Sequence, residues 1–285
     1  NDGRGNFRLA PRFALTATSN TCMSVDFADV DRDGHVDIFT ADMLSPTLAK
    51  RQSGIPTHTP LGKPVGESGE RPQWMRNMLH VGRGDSSWAE VSEFAGVGAT
   101  DWTWGSAFLD VDLDGFEDLL TVNGHRWDIR DADTFDRIRN EFPRVAWDRE
   151  QEMFPRLATR SIALRNNGDL TFRAMPGGWG LGDADAISQG IAFADFDLDG
   201  DLDAVVTRLD APVAFMRNDA SAPRIAVRLV GDSANRAGIG AVVTVRTEGL
   251  AEQKREMTAG GYYLSGSDAQ LTFAAGDESA ATIIV

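Results

Sequence analysis

The apolar residues of this chain fall in short alternating runs, not in long helical stripes. Three pairs of runs stand out: Met23-Ser-Val-Asp-Phe27 with Ile38-Phe39-Thr40-Ala41, Gly105-Ser-Ala-Phe-Leu109 with Leu119-Leu120-Thr121-Val122, and Gly190-Ile-Ala-Phe-Ala194 with Ala204-Val-Val-Thr207. Such runs, rich in β-formers, predict strands. Each pair flanks one acidic stretch, so each stretch joins two strands. A second recurring element is a Gly/Asn/Asp turn closed by an aromatic: Asn1 to Phe7, Val81 to Trp88 and Arg165 to Phe172, with a shorter relic at Met216 to Asp219. This pattern predicts a hairpin.

One unit then reads strand, acidic loop, strand, connection, strand, Asn-Gly turn, strand. That is a four-stranded antiparallel module, and radial repetition of such modules makes a β-propeller. The acidic stretches recur roughly 80 residues apart, long for a simple repeat, and two insertions carry the excess. Residues 44–73 hold Pro46, Pro56, Pro60, Pro64 and Pro72 and read as an irregular loop. Residues 126–160 predict short helices over Asp131 to Asn140 and Val145 to Leu157, interrupted by Pro143 and Pro155. Insertions of this kind gather on one face and often form its binding surface. After Pro223 the alternation continues without acidic loops, through Ile225–Val230, Ala241–Arg246, Lys254–Met257 and Gln270–Phe273. The expected division is a propeller over 1–221 and a small β domain over 222–285.

The acidic stretches carry the chemistry. They spell Asp29-Val-Asp31-Arg-Asp33-Gly34-His35-Val-Asp37, Asp110-Val-Asp112-Leu-Asp114-Gly115-Phe116-Glu-Asp118 and Asp195-Phe-Asp197-Leu-Asp199-Gly200-Asp201-Leu-Asp203. Four carboxylates that recur in D-x-D-x-D-G-x-x-D repel one another unless a cation sits between them. Calcium takes six to eight oxygens. The Asp residues at positions 1, 3 and 5 supply carboxylates, glycine permits the turn, the backbone carbonyl of His35, Phe116 or Asp201 points inward, and the last Asp closes the cage. An EF-hand opens in the same way but needs a bidentate Glu at position 12 and flanking helices. Position 12 here is Thr40, Thr121 and Val206, in strand-like flanks, so the EF-hand reading fails three times. About three Ca²⁺ are expected, one per loop, in a structural role, because no nucleophile or base recurs beside them.

The formal net charge of −15 argues against nucleic acid as a partner, and bound calcium would offset part of it. No apolar stretch approaches the ~20 residues of a membrane span. The single cysteine, Cys22, excludes an intrachain disulfide and is expected to be a small buried thiol. Weak calcium sites suit the millimolar calcium outside the cytosol.

Together the three loops and the Asn-Gly hairpins resemble the FG-GAP/VCBS repeat proteins, whose propeller forms integrin α-subunit heads. The tail resembles the ASPIC/UnbV module through Arg228-Leu-Val-Gly231, Asn235-Arg236-Ala-Gly238-Ile-Gly240-Ala241 and Ala259-Gly260-Gly261-Tyr262-Tyr263-Leu264-Ser265. That module follows FG-GAP repeats in many bacterial secreted proteins and in a cartilage acidic protein. The resemblance implies a secreted or cell-surface propeller, with the periplasm as an alternative place. It would contact proteins or glycans, or other subunits of an extracellular assembly. A closed propeller has about seven blades and this chain supplies about three and a half, so it reads as a piece of a longer propeller.

No catalytic constellation emerges. His35, His58, His80 and His125 lack zinc spacing, Gly238-Ile-Gly240 lacks the rest of a dinucleotide fingerprint, and no G-x-S-x-G elbow occurs. Trp102 and Trp104 either offer faces to a sugar or pack between blades. Arg126, Trp127 and Asp128 form a second contact patch or a solvated loop. The leading expectation is a calcium-stabilised binding or adhesion module. The alternatives are a calcium-dependent polysaccharide lyase or hydrolase and a purely structural part of an extracellular filament.

Overall fold

A computed structural model describes residues 3–55, 71–142, 145–232, 234–277 and 280–285. The chain is all-β with a few short helices, and nearly every strand pairing is antiparallel. It enters through β1 (Thr18–Ser19) and builds a first sheet from β2 (Ser24–Ala28), β3 (Asp37–Ala41), β5 (Met78–Gly82) and β6 (Trp88–Glu90), in that order. The two-residue β4 (Gln73–Trp74) pairs in parallel with β1. The second sheet is β7 (Thr103–Leu109), β8 (Asp118–Asn123), β9 (Ile162–Asn166) and β10 (Phe172–Ala174). The third sheet has three strands: β11 (Ser188–Ala194), β12 (Asp203–Arg208) and β13 (Ala214–Met216). Each acidic stretch is the turn between the first two strands of its sheet, where the alternation placed it.

The sheets stack face to face. Phe39, Ala41, Leu79 and Val81 of the first meet Phe108, Leu119, Leu164 and Phe172 of the second. The opposite face of the second sheet, with Ala107, Leu109, Leu120 and Val122, meets Ile191, Phe193 and Val206 of the third. Successive residues of a strand point to opposite faces, so β8 serves both cores, Leu119 in one and Leu120 in the other. Each such side chain contributes about 1.5–3 kcal/mol by leaving water.

The chain after the third sheet forms β14 (Arg224–Val227), β15 (Val242–Arg246), β16 (Gln253–Glu256), β17 (Leu271–Ala274) and β18 (Thr282–Ile284). β14 pairs with β17, and β15 pairs with both β16 and β18. Val243, Val245 and Phe273 form their core.

The insertion over 126–160 carries α1 (Ala132–Glu141) and α2 (Trp147–Gln151), with Asp131 capping α1 by accepting the Thr134 amide. The other insertion departs from the expected irregular loop: Leu48–Ser53 form a short helix, with Lys50 and Arg51 in its last turn. Residues 56–70 of that insertion, and Pro143, lie outside the described residues. Cys22 is also a correction. It is exposed rather than buried, because it precedes β2 and its Sγ turns back to the Ser24 carbonyl at 3.2 Å.

Candidate metal centre

The three acidic loops share one backbone. Position 4 takes a left-handed conformation in a residue with a Cβ: Arg32 (φ 61°), Leu113 (φ 58°) and Leu198 (φ 62°). Position 6 does so with glycine, at Gly34, Gly115 and Gly200. That backbone turns amide groups onto the first Asp. Asp29 Oδ2 accepts the Gly34 amide at 3.0 Å, Asp110 Oδ2 that of Gly115 at 2.9 Å, and Asp195 Oδ2 that of Gly200 at 3.1 Å. The fifth residue accepts from the seventh: Asp33 from His35, Asp114 from Phe116, Asp199 from Asp201.

The last Asp of the motif anchors the loop. Asp37 takes the amides of Val30 and Gly82, each at 2.8 Å. Asp118 takes Val111 and Asn166, each at 2.9 Å. Asp203 takes Phe196 at 2.9 Å and Asn218 at 2.7 Å. One amide comes from inside the loop and one from the third strand of the sheet or, at Asn218, just beyond it, so this residue ties the loop to its sheet.

Within 4.8 Å of one another stand ligand oxygens from Asp29, Asp31 and Asp33, from Asp110, Asp112 and Asp118, and from Asp195, Asp197 and Asp199. Asp37, Asp114 and Asp203 lie outside these groups. In the first two groups one buried carboxylate oxygen has no hydrogen-bond partner, Oδ1 of Asp29 and of Asp112; in the third loop the unpartnered oxygen, Oδ1 of Asp201, belongs to a side chain outside the group. An unpaired buried carboxylate oxygen is costly, and a cation supplies what it lacks. Burial pushes Asp37 and Asp110 up to about 7 and Asp118 up to about 8. Asp201 is also raised to about 7 by burial, against the Arg224 guanidinium beside it. Asp29, Asp31 and Asp114 shift upward for the same first reason. The donor set and its orphaned oxygens fit a metal ion.

Arginines reach the loops from outside the motif. Arg165 on β9 bonds Asp112 at 2.5 Å and also Asp114. Arg224 pairs with Asp199 at 3.1 Å and with Asp201 at 2.5 Å, so the Asp201 side chain faces an arginine while its carbonyl remains the expected donor. Arg32 of the first loop leaves its own carboxylates and pairs with Glu117 of the second at 2.8 Å. Arg255 on β16 joins Glu117 at 3.1 Å. Glu117, at 2% exposure, thus ties two loops and the tail together. The tail also touches the third loop, where Thr272 Oγ1 donates to the Gly200 carbonyl at 3.0 Å.

Two asparagines of the hairpin turns have a role that sequence reading missed. Asn166 Nδ2 donates to the Val30 carbonyl of the preceding loop at 2.8 Å. Asn218 Nδ2 donates to the Val111 carbonyl at 3.0 Å. The signal was present, since both asparagines hold one place in the repeat, but only stacked sheets show what they reach.

At the other strand ends the two insertions meet. The Ile55 amide donates to the Arg130 carbonyl at 2.7 Å, Arg130 Nη1 donates to the Met43 carbonyl at 3.0 Å, and Lys50 pairs with buried Asp128. The tryptophans offered to a sugar are packed. Trp102 and Trp104 stack on His125 at 4.3 and 5.7 Å, and Trp104 leans on Tyr263 at 5.2 Å. Arg156 lies over the Trp127 ring. His80 is buried and its pKa lowered by that burial, while His35 is exposed.

Two families match this arrangement. Residues 1–40, which include the first acidic loop, match the FG-GAP-like repeat, and residues 231–285 match ASPIC and UnbV. These two matches support an FG-GAP repeat protein with a C-terminal ASPIC/UnbV module. None of the curated proteins compared with it matches. Among the described residues no helix is long and apolar enough to cross a membrane.

Proposed function

We propose that this protein is a secreted or cell-surface binding module, a β-propeller whose acidic loops hold calcium and whose insertions meet a protein or glycan partner or another subunit of an extracellular assembly. The observation that carries the reading is the threefold recurrence of an all-oxygen carboxylate group, with a buried unpaired oxygen within the first two, at Asp29 and Asp112. Hard oxygen donors without nitrogen or sulfur suit calcium over zinc or copper. Asp29, Asp31 and Asp33 of the first loop, Asp110, Asp112 and Asp118 of the second and Asp195, Asp197 and Asp199 of the third would hold the ions. The ion would cancel carboxylate repulsion, while Asp37, Asp118 and Asp203 accept the amides that fix each loop to its sheet.

The loops occupy one end of the strands and the joined insertions the other. The insertion residues Leu48, Phe142 and Trp147 are exposed at 67%, 42% and 62%. The arginines beside the second and third loops are tied to loop carboxylates, which leaves them little freedom for lyase chemistry.

Melting the protein after exhaustive chelation, then with added calcium, tests the metal. An ion that binds only the folded state stabilises it by about 2.7 kcal/mol per site at a hundredfold excess over Kd. A melting temperature unchanged by chelator, together with no calcium heat in titration calorimetry, sinks the calcium reading.

A further inference from the structure

The third acidic loop already holds a cationic group, and the tail delivers it. Arg224 opens β14 and pairs with Ala274 of β17. Its side chain is 18% exposed and reaches into the loop. Nε donates to the Asp199 carbonyl at 3.0 Å, Nη2 pairs with Asp199 Oδ2 at 3.1 Å, and Nη1 pairs with Asp201 Oδ2 at 2.5 Å. β17 and the residue before it add two neutral donors. Thr272 Oγ1 donates to the Gly200 carbonyl at 3.0 Å, and Gln270 Nε2 donates to Asp195 Oδ2 at 3.4 Å.

Position 7 of the motif explains why this loop takes an arginine from the tail. It is His35 in the first loop, Phe116 in the second and Asp201 in the third. The Asp201 side chain, at 1% exposure, gives Arg224 a carboxylate that the other loops lack there. The guanidinium also reaches past it to Asp199, a member of the carboxylate group that would hold an ion. Asp199 Oδ1 accepts the Asp201 amide at 3.1 Å. The oxygen that Arg224 occupies, Oδ2, is therefore the one left over for a metal. The first loop is the contrast. Its Asp33 accepts the His35 amide at 2.8 Å in the same way, and no arginine is bonded to it among the described contacts.

We infer that Arg224 and calcium compete for Asp199, so that calcium in the third loop loosens the hold of β14 and β17 on that loop. The inference rests on the calcium reading proposed above and adds its regulation: the tail lowers the affinity of one site, and that site controls the seating of the tail. Two cations at one carboxylate oxygen repel each other, and the effect of each on the other's binding is reciprocal. The loosening is local, because the tail has a second hold that an ion does not touch. Ser265 Oγ donates to the Ile191 carbonyl at 2.5 Å, the Phe193 amide donates to Ser267 Oγ at 3.0 Å, and the Asp268 amide donates to the Phe193 carbonyl at 2.8 Å. The Tyr262 ring meets Phe193 edge-on at 5.4 Å. The segment from Tyr262 to Asp268 thus stays on β11 while β14 and β17 lose their grip. The third loop is a calcium-sensitive joint between the sheets and the ASPIC/UnbV module.

Hydrogen exchange of the whole chain, read by mass spectrometry as calcium is added, tests it. The expected result at saturating calcium is exchange about tenfold faster over residues 224–227 and 271–274, unchanged over 262–268 and slower over the first loop, 29–37. Asp197→Asn removes a third-loop ligand, so it should abolish the acceleration and keep the slowing at the first loop. By reciprocity Arg224→Gln should tighten calcium binding at the third loop about tenfold in titration calorimetry. If calcium slows the first loop but leaves 224–227 and 271–274 unchanged or slower, this inference falls and the calcium reading stands. Unchanged or weaker binding by Arg224→Gln has the same consequence. No slowing at the first loop together with no calcium heat overturns both.

Discussion

The first and second acidic loops spell nearly the same nine residues and sit in unlike surroundings. In the first, Asp31 is half-buried and Asp33 exposed, and no arginine is bonded to either among the described contacts. In the second, Asp110 is 3% exposed, Arg165 holds Asp112 and Asp114, and Glu117 brings Arg32 and Arg255 alongside. The motif brings carboxylate oxygens together in both, from positions 1, 3 and 5 in the first loop and 1, 3 and 9 in the second. The surroundings decide how much positive charge is already there before any ion arrives. The first loop must obtain its counter-charge from solution, whereas the second shares its carboxylates with guanidinium groups that an ion has to displace.

Removing the node that distinguishes the loops has the largest expected effect. Glu117→Ala strands Arg32 and Arg255 without their buried partner, and such a loss costs about 3–5 kcal/mol. Urea unfolding should show it. A cost below about 1 kcal/mol would mean that the second loop is not clamped by this group and that the two loops differ less than their contacts imply.

Next comes pH. Asp37, Asp110, Asp118 and Asp201 hold their protons to about 7 or 8 in the folded chain, against ~3.9 for an unfolded Asp. Between those values the folded state binds more protons, so stability falls as pH rises. The proton-linked contribution is complete below about 4 and gone above about 8. Metal-free protein should therefore melt lower at pH 8 than at pH 5.5, and saturating calcium should widen its advantage as pH rises. A metal-free melting temperature that climbs over this interval contradicts the assignment.

The asparagine latches give a smaller contrast. Asn166 is fully buried and its amide serves both the Val30 and Glu117 carbonyls, while Asn218 serves Val111 from a half-buried place. Losing a buried partner costs about 1–3 kcal/mol. Asn166→Ala should lie at the upper end and Asn218→Ala at the lower, read by chemical denaturation; equal losses would remove the distinction. The smallest effect concerns Arg165. Its ion pair is partly solvated and worth at most about 1 kcal/mol. Arg165→Gln should tighten ion binding at the second loop by up to about fivefold in terbium luminescence and leave the first loop unchanged. Weaker binding would show the arginine to be a support and not a competitor.

The strands beside each loop and the two helices of the second insertion were legible, because alternation and apolar spacing are local properties. The convergence of carboxylates was legible for the same reason. The role of the last Asp was not. Sequence made it a cage member, and Asp118 does stand with Asp110 and Asp112, but the fold also gives the oxygens of Asp37 and Asp118 amides such as those of Gly82 and Asn166, which arrive from a distant strand. Glu117 escaped notice because its partners are Arg32 and Arg255, each in a different part of the chain. One trace did exist. Positions 4 and 8 are Leu113 and Glu117 in the second loop, Arg32 and Val36 in the first, and Leu198 and Leu202 in the third, so the two charged exceptions belong to different copies and face each other only when the sheets stack. The short helix over 48–53 was hidden by the prolines around it.

The bond from Asn166 to the Val30 carbonyl spans 136 residues. A ribosome adds about 5–20 residues each second, so the first loop leaves the exit tunnel about 7–27 s before the side chain that latches it. Once β6 has emerged the first sheet has its own hydrogen bonds, but for the rest of that interval it lacks Phe172, Leu164 and Asn166 from its neighbour. Each newly made sheet is thus finished by the next one, and the order of synthesis is also the order in which open surfaces are covered.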